Sequence, residues 1–233
     1  MLIDLHLHSS AISRCCKISL EDGLTLAKAM GMDGVALTNH YVKNYVADEN
    51  YLAFARQYMD ECEKAITLGK AQKMPVFWGI ELTPEYNPKV HLLIYGVGED
   101  FLLRYPTLFD WDLPTVYQRV KEAGGILVQA HPFRYGEHLQ DLRFLDGVEV
   151  NCHPGYADTY LERVYRIADE NGLILTCGGD FHKDTYRPVC GMYLPEEISD
   201  SKALAEYLKT ASELALCVQE AGQEDLKKVM LKR

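Results

Sequence analysis

Short apolar runs alternate with longer, helically patterned segments along this chain, and no other feature restricts its fold so much. Residues 2–5 read as a first strand. Ser19 is placed to cap a helix, Asp22 puts a carboxylate in its first turn, and Gly31 stops it. Residues 34–38 form a second strand, and a long helix covers much of 49–68, ending at Gly69. Residues 76–80 are a third strand. Residues 92–95 follow too closely to leave room for a crossover helix, so this fourth strand is expected to return antiparallel. A helix over 113–123, strands at 126–128 and 147–150, an amphipathic helix over 157–171 and a last core strand at 173–176 complete the pattern. Residues 201–211 and 224–232 are expected as C-terminal helices.

This alternation implies an α/β fold with a largely parallel sheet. About seven strands could close into a barrel. An open, doubly wound sheet is the alternative, although no glycine-rich dinucleotide fingerprint follows the first strand. Neither a linker nor a repeat divides the 233 residues, so a single domain over 1–233 is expected, with helices from about residue 200 packed on the barrel. A hydrophobic fraction of 48% can fill a sizeable core, and a net charge of −10 argues against general nucleic-acid binding. The seven cysteines have no paired framework and no zinc-knuckle spacing, which suggests reduced thiols in a cytoplasmic protein. No basic-then-apolar leader opens the chain and no apolar run reaches membrane-spanning length.

The residues that carry chemistry fall where such a fold would gather them. Side chains two apart on a strand share a face, so His6 and His8 project together from the end of the first strand. His40 follows the second strand, Glu81 the third and His131 the fifth. Glu149 lies in the sixth, with His153 beyond it, and Asp180 and His182 follow the last. His91 begins its strand, but an antiparallel return brings that start to the end where Glu81 finishes. Imidazoles and carboxylates gathered at strand ends suit divalent transition metals, which activate water and neutralise anionic substrates. These residues alone point to a metal-dependent hydrolase. Taken singly, His138 reads as a solvated residue, His153 as a loop or supporting residue, Glu149 as a satisfied carboxylate, and Cys15 and Cys16 as packing residues, with Cys16 near enough to His8 to ligate.

Taken in order, Asp4-Leu5-His6-Leu7-His8-Ser9, Leu37-Thr38-Asn39-His40, Gly79-Ile80-Glu81, His91-Leu92-Leu93, Ala130-His131-Pro132-Phe133-Arg134, Gly147-Val148-Glu149 and Gly178-Gly179-Asp180-Phe181-His182 resemble the PHP (polymerase and histidinol phosphatase) family of metal-dependent phosphoesterases. The resemblance covers residue 2 to about residue 195. It implies a distorted (β/α)7 barrel holding two to three divalent ions, such as zinc, manganese or iron. By that resemblance His6, His8, Glu81 and Asp180 would hold one ion. Glu81 would bridge to a second, completed by His91 and His131, and His40 and His182 would belong to a third. Asn39 replaces the usual Asp. Arg14 stands at or next to the place where the family has an acidic or histidine ligand for the third ion. Arg14 could supply the charge of that ion and grip phosphate, or Cys15, Cys16 or water could complete an ordinary third site.

The expected activity is hydrolysis of a small phosphorylated metabolite or nucleotide. Glu81, Asp180 and His182 are the catalytic candidates, and Arg14, Arg134 and Arg187 the phosphate-binding ones. Lys43 and Lys183 are weaker phosphate candidates. The rival readings are a binuclear, amidohydrolase-like enzyme with a non-phosphate substrate, and a metal-stabilised regulatory domain without turnover.

Overall fold

The computed structural model describes residues 1–183, 189–220 and 223–233. Its strands are β1 (Leu2–Leu7), β2 (Gly34–Leu37), β3 (His40–Tyr41), β4 (Val76–Leu82), β5 (Leu92–Tyr95), β6 (Ile126–Gln129), β7 (Gly147–Asn151), β8 (Ile174–Gly178), β9 (Gly191–Tyr193), β10 (Glu213–Gln219) and β11 (Leu226–Lys232). Its helices are α1 (Leu20–Ala29), α2 (Tyr51–Gln72), α3 (Phe101–Arg104), α4 (Leu113–Glu122), α5 (Leu161–Asn171) and α6 (Ser201–Thr210). Among the described residues, no helix is long and apolar enough to cross a membrane.

One sheet runs in the order β11-β10-β9-β1-β2-β4-β5-β6-β7-β8, with β3 pairing β4. β8 curls round to lie against β1, and just beyond it Leu7 and Phe181 form a single parallel bridge. The sheet is therefore barrel-like and nearly closed. It is not a plain succession of seven strand–helix units. No helix separates β4 from β5, and β5 runs antiparallel to both β4 and β6, as the short connection requires. The start of β1 pairs antiparallel with β9, which carries the β10–β11 hairpin. That pairing occupies the edge of β1 that full closure would need.

Local chemistry sets the helix ends. Ser19, Asn50, Asp112 and Asp200 each accept a backbone N–H at the start of α1, α2, α4 and α6. α2 runs past Gly69, the expected stop, to a left-handed Lys73. A Cβ on Gly69 would meet Val76 Cγ2 at 2.4 Å, so this glycine serves the close packing of α2 on β4 rather than ending the helix. α5 begins four residues later than expected, because Tyr160 is left-handed and its N–H donates to Asp158.

The expected helix at 224–232 is instead β11. Leu226, Val229 and Met230 have helical spacing, but residues 226–232 pair in full register with β10, and Leu231 packs into the core opposite Leu214. Pairing with an available partner strand outweighs local spacing here. β11 is an edge strand with Lys227, Lys228 and Lys232 exposed along it, which discourages further strand addition.

Phe77, Gly79 and Glu81 share one face of β4. Trp78, Ile80 and Leu82 share the other and pack with Phe54 and Tyr58 of α2. Tyr95 donates from its hydroxyl to the Leu5 carbonyl at 2.7 Å, tying β5 to β1.

Candidate metal centre

At the C-terminal end of β1, His6 and His8 turn to the same side, and their Nε2 atoms lie 3.1 Å apart. Two supporting contacts decide which ring nitrogens carry lone pairs. His6 Nδ1 donates to Glu149 Oε1 at 2.8 Å. Ser13 Oγ donates to Asn39 Oδ1 at 2.9 Å, so it accepts from His8 Nδ1, also at 2.9 Å. Both Nε2 atoms are left to face each other as acceptors. Carboxylate oxygens close on them: Glu81 Oε1 at 3.2 Å from His6, Glu81 Oε2 at 3.4 Å from His8, and Asp180 Oδ1 at 3.5 and 3.2 Å from the two. Four acceptors at these spacings repel one another unless a cation sits among them. The spacings match the edges of a coordination shell whose metal–ligand bonds are about 2.0–2.2 Å. The donor chemistry therefore fits a divalent ion.

Glu81 is the hub, and it is fully buried. His40 Nδ1 approaches its Oε2 at 2.5 Å, while His91 Nδ1 and His131 Nε2 approach its Oε1 at 2.8 and 3.2 Å. His40, Glu81 and His91 form a second group of donors able to hold an ion, and His8, His40 and His182 a third. His40 thus stands between two groups, rather than with His182 alone.

The electrostatics agree with a cluster that wants positive charge. Burial pushes Glu81 up, but His40, His91 and His6 outweigh it and hold the carboxyl well below its usual range. Asp180 behaves alike, with burial overcome by His6, His182 and His8. Burial disfavours a charged His6, yet Glu149, Glu81 and Asp180 hold its affinity for a proton well above normal. A proton on His6 is one way to meet these carboxylates, and a metal ion is the other. Burial, then His182 and His40, keep His8 well below the ordinary imidazole value, hence neutral and able to ligate.

The backbone accepts strain to build this arrangement. His131 and Asp180 have φ of 27° and 49°, a region that costs a residue with a Cβ about 1–3 kcal/mol. Gly178 allows the close approach of β8, because a Cβ there would meet His6 Cβ at 2.4 Å and Glu149 Oε1 at 2.9 Å. Asp4 accepts from the N–H groups of His6 and Gly179, both at 2.9 Å, and burial pushes its carboxyl up to about 7.

The structure thus brings together His6, His8, His40, Glu81, His91, His131, Asp180 and His182. It places Arg134 at their rim, donating to Asp180 Oδ2 at 3.0 Å and lying over the rings of Tyr135 and Tyr156. Arg14 is a correction. Its guanidinium donates to the Asn44 and Tyr45 carbonyls at 3.1 and 2.7 Å and stacks on Tyr45, so it caps the 43–45 turn instead of facing the cluster. Arg187 lies outside the described residues. Lys43 pairs with Asp110 at 2.7 Å, and Lys183 lines the cleft. Glu149 is a supporting carboxylate, holding His6 and accepting from the His131 N–H at 3.2 Å. His153 stacks on Tyr156 beside the cleft, and the His138 carbonyl accepts from Gln129.

Sequence reasoning missed Ser13, which orients His8, and Tyr156, which donates to Asp180 Oδ2 at 2.7 Å. It also missed the network in which Asn39 holds Ser9 and Ser13 while Ser9 donates to buried Glu61 at 2.7 Å. Asn39 in place of an acid was the one available signal, because an amide, unlike an ionised carboxylate, both accepts from Ser13 and donates to Ser9.

No family model and no curated protein matches the chain. Solved structures do. A provisionally named metal-dependent phosphoesterase from Bifidobacterium adolescentis is 18% identical with a TM-score of 0.52, over 88% of this chain and 95% of that one. An amidohydrolase from Chromobacterium violaceum, solved with sulfate and no metal, is 17% identical with a TM-score of 0.58, over 84% and 93%. PsfC from Pseudomonas syringae is 16% identical with a TM-score of 0.59, over 100% and 91%. At these identities the likeness is one of fold, a fold that metal-dependent hydrolases use.

Proposed function

We propose that the chain is a metal-dependent phosphoesterase of the PHP type, hydrolysing a small phosphorylated metabolite or nucleotide. The observation that carries this reading is the pair of lone-pair Nε2 atoms of His6 and His8 converging with Glu81 and Asp180 beside a guanidinium at the rim. His6, His8, Glu81 and Asp180 would hold one ion, and Glu81 would share in holding a second with His91 and His131. Ions bound there supply Lewis acidity and activate water near neutral pH. Arg134 would take the phosphate oxygens. Its planar donors suit a bidentate grip, and its place between two tyrosine rings fixes their direction. Glu81, Asp180 and His182 are the residues on which turnover should depend. An open cleft of about 410 Å³, lined by His40, His91, Arg134, Tyr135 and His182 among others, has room for a small substrate. The phosphoesterase description of one fold neighbour and the sulfate in another support the phosphate reading. Seven free cysteines suit a reducing, cytoplasmic setting.

The test is a panel of phosphomonoesters, phosphodiesters and cyclic amides, assayed with zinc, manganese or iron. Phosphoester turnover that chelation abolishes and Glu81→Gln lowers by orders of magnitude is expected. Turnover of cyclic amides alone would favour the amidohydrolase-like reading, and no turnover by fully metal-loaded protein would favour a regulatory domain.

A further inference from the structure

Three of the seven cysteines converge behind β8, on the side away from the histidine cluster. We propose that Cys152, Cys177 and Cys190 form a separate, all-sulfur site that takes copper(I), a soft monovalent cation. The site lies outside the hydrolytic reading above and stands whether or not that reading holds.

Strand alternation keeps the two sites apart. Gly178 faces His6, so Cys177, one residue earlier in β8, faces the other way. There it meets β10, and its thiol donates to the Cys217 carbonyl at 3.3 Å. Its sulfur lone pairs are left for its neighbours. Cys152 follows the last residue of β7, and its N–H donates to the Gly178 carbonyl at 3.0 Å, which holds it beside β8. Cys190 precedes Gly191, the first residue of β9. Gly191 has φ of 146°, and a Cβ there would meet the Ile3 carbonyl oxygen at 2.1 Å, so only glycine lets β9 enter this close to β1. The three sulfurs thus come from three elements, and no local spacing in the sequence announces them.

All three sulfurs lie within 4.8 Å of one another, and those of Cys152 and Cys177 are 3.8 Å apart. Sulfurs that share one ion through bonds of about 2.3 Å stand about 4 Å apart in a trigonal plane. The thiols are already spaced as ligands. Charge then selects the ion. Cys177 and Cys190 are 0% exposed and Cys152 4%, within an apolar cluster that includes Val150, Leu175, Met192 and Leu216. Burial holds the Cys177 and Cys190 thiols well above their usual values, and the Glu149 carboxylate also opposes negative charge on Cys177. Cys152, the least buried of the three, is the one to give up its proton. One thiolate and two neutral thiols carry a single negative charge, which a monovalent cation cancels. A divalent ion would leave net charge in an apolar core or demand a second thiolate there. Soft sulfur donors favour copper(I). Binding breaks the Cys152 S–H bond, forms three copper–sulfur bonds and releases one proton to solvent.

The test is a titration of the full, reduced chain, equilibrated with zinc and kept free of oxygen, with copper(I) supplied as its bicinchoninate complex. One copper per chain should transfer from the chelator, with one proton released. X-ray absorption at the copper edge should then show sulfur neighbours and no imidazole nitrogen. Cys190→Ala should weaken copper binding by orders of magnitude, whereas Cys15→Ser, which alters an exposed thiol, should leave affinity and sulfur neighbours unchanged. The absorption spectrum is taken on the unmodified chain, so it decides the matter even if Cys190→Ala does not fold. Imidazole neighbours, copper that stays with the chelator, or wild-type copper binding by folded Cys190→Ala each overturn the inference. None of these outcomes touches the Glu81 centre, whose own test is phosphoester turnover.

Discussion

Ser13 decides what His8 can do. Its hydroxyl hydrogen is committed to Asn39, so the oxygen can only accept, and His8 must place its proton on Nδ1. Removing that hydroxyl frees His8 to adopt the other tautomer or to rotate away from Asp180. Ser13→Ala should therefore weaken metal binding by about 10–100-fold, as loss of a supporting contact typically does. Far-ultraviolet circular dichroism should stay unchanged, because no core packing is lost. A competition titration with a chromophoric chelator measures the effect, and wild-type affinity in Ser13→Ala would remove the serine from the site's support. Nothing in the sequence marks Ser13: it lies in a polar stretch with no periodicity, and its role appears only once Asn39, twenty-six residues on, is folded beside it. Arg14 was misplaced for the same reason. Which of several consecutive turn residues faces inward is set by three backbone hydrogen bonds, not by residue type.

Elements whose pattern repeats were legible, and elements that depend on a distant partner were not. The period-two placement of His6 and His8, the capping Ser19 and the short β4–β5 connection each encode their structure within a few residues, and each is found in the fold. β10 and β11 do not work that way. Residues 226–232 carry apolar side chains at a spacing either state can use, and only the ladder to residues 213–219 selects the strand. Leu231, 1% exposed, is the side chain that pins this hairpin to the core. Leu231→Ala should cost about 2–5 kcal/mol in urea unfolding, since it leaves a cavity. Lys228→Ala, on the exposed edge, should change stability by no more than about 0.5 kcal/mol. Equal effects from the two would contradict the strand pairing.

Across the whole molecule, the candidate centre draws its residues from β1, β3, β4, the approach to β5, the turn after β6, and the segment after β8. Sheet closure between β1 and β8 is slight: a bridge at Leu7 and Phe181, with hydrogen bonds of 3.2 and 3.3 Å around it. An ion held jointly by His6, His8, Glu81 and Asp180 would therefore bind the two sides of the barrel where hydrogen bonding is thinnest. Metal that binds only the folded chain stabilises it by about 2.7 kcal/mol for one site at a hundred times its dissociation constant. Melting followed by calorimetry should show a clear rise in Tm on adding zinc or manganese to stripped protein, and a fall on chelation. Asp180→Ala removes a candidate ligand from the β8 side, and His131→Ala removes one that reaches Glu81 from the β6 side. Each should flatten the metal response of Tm. These two residues are about fifty apart in sequence and meet only through the curvature of the sheet. If both variants kept the wild-type metal response, the ions would be bound elsewhere and the barrel mouth would not be the metal centre.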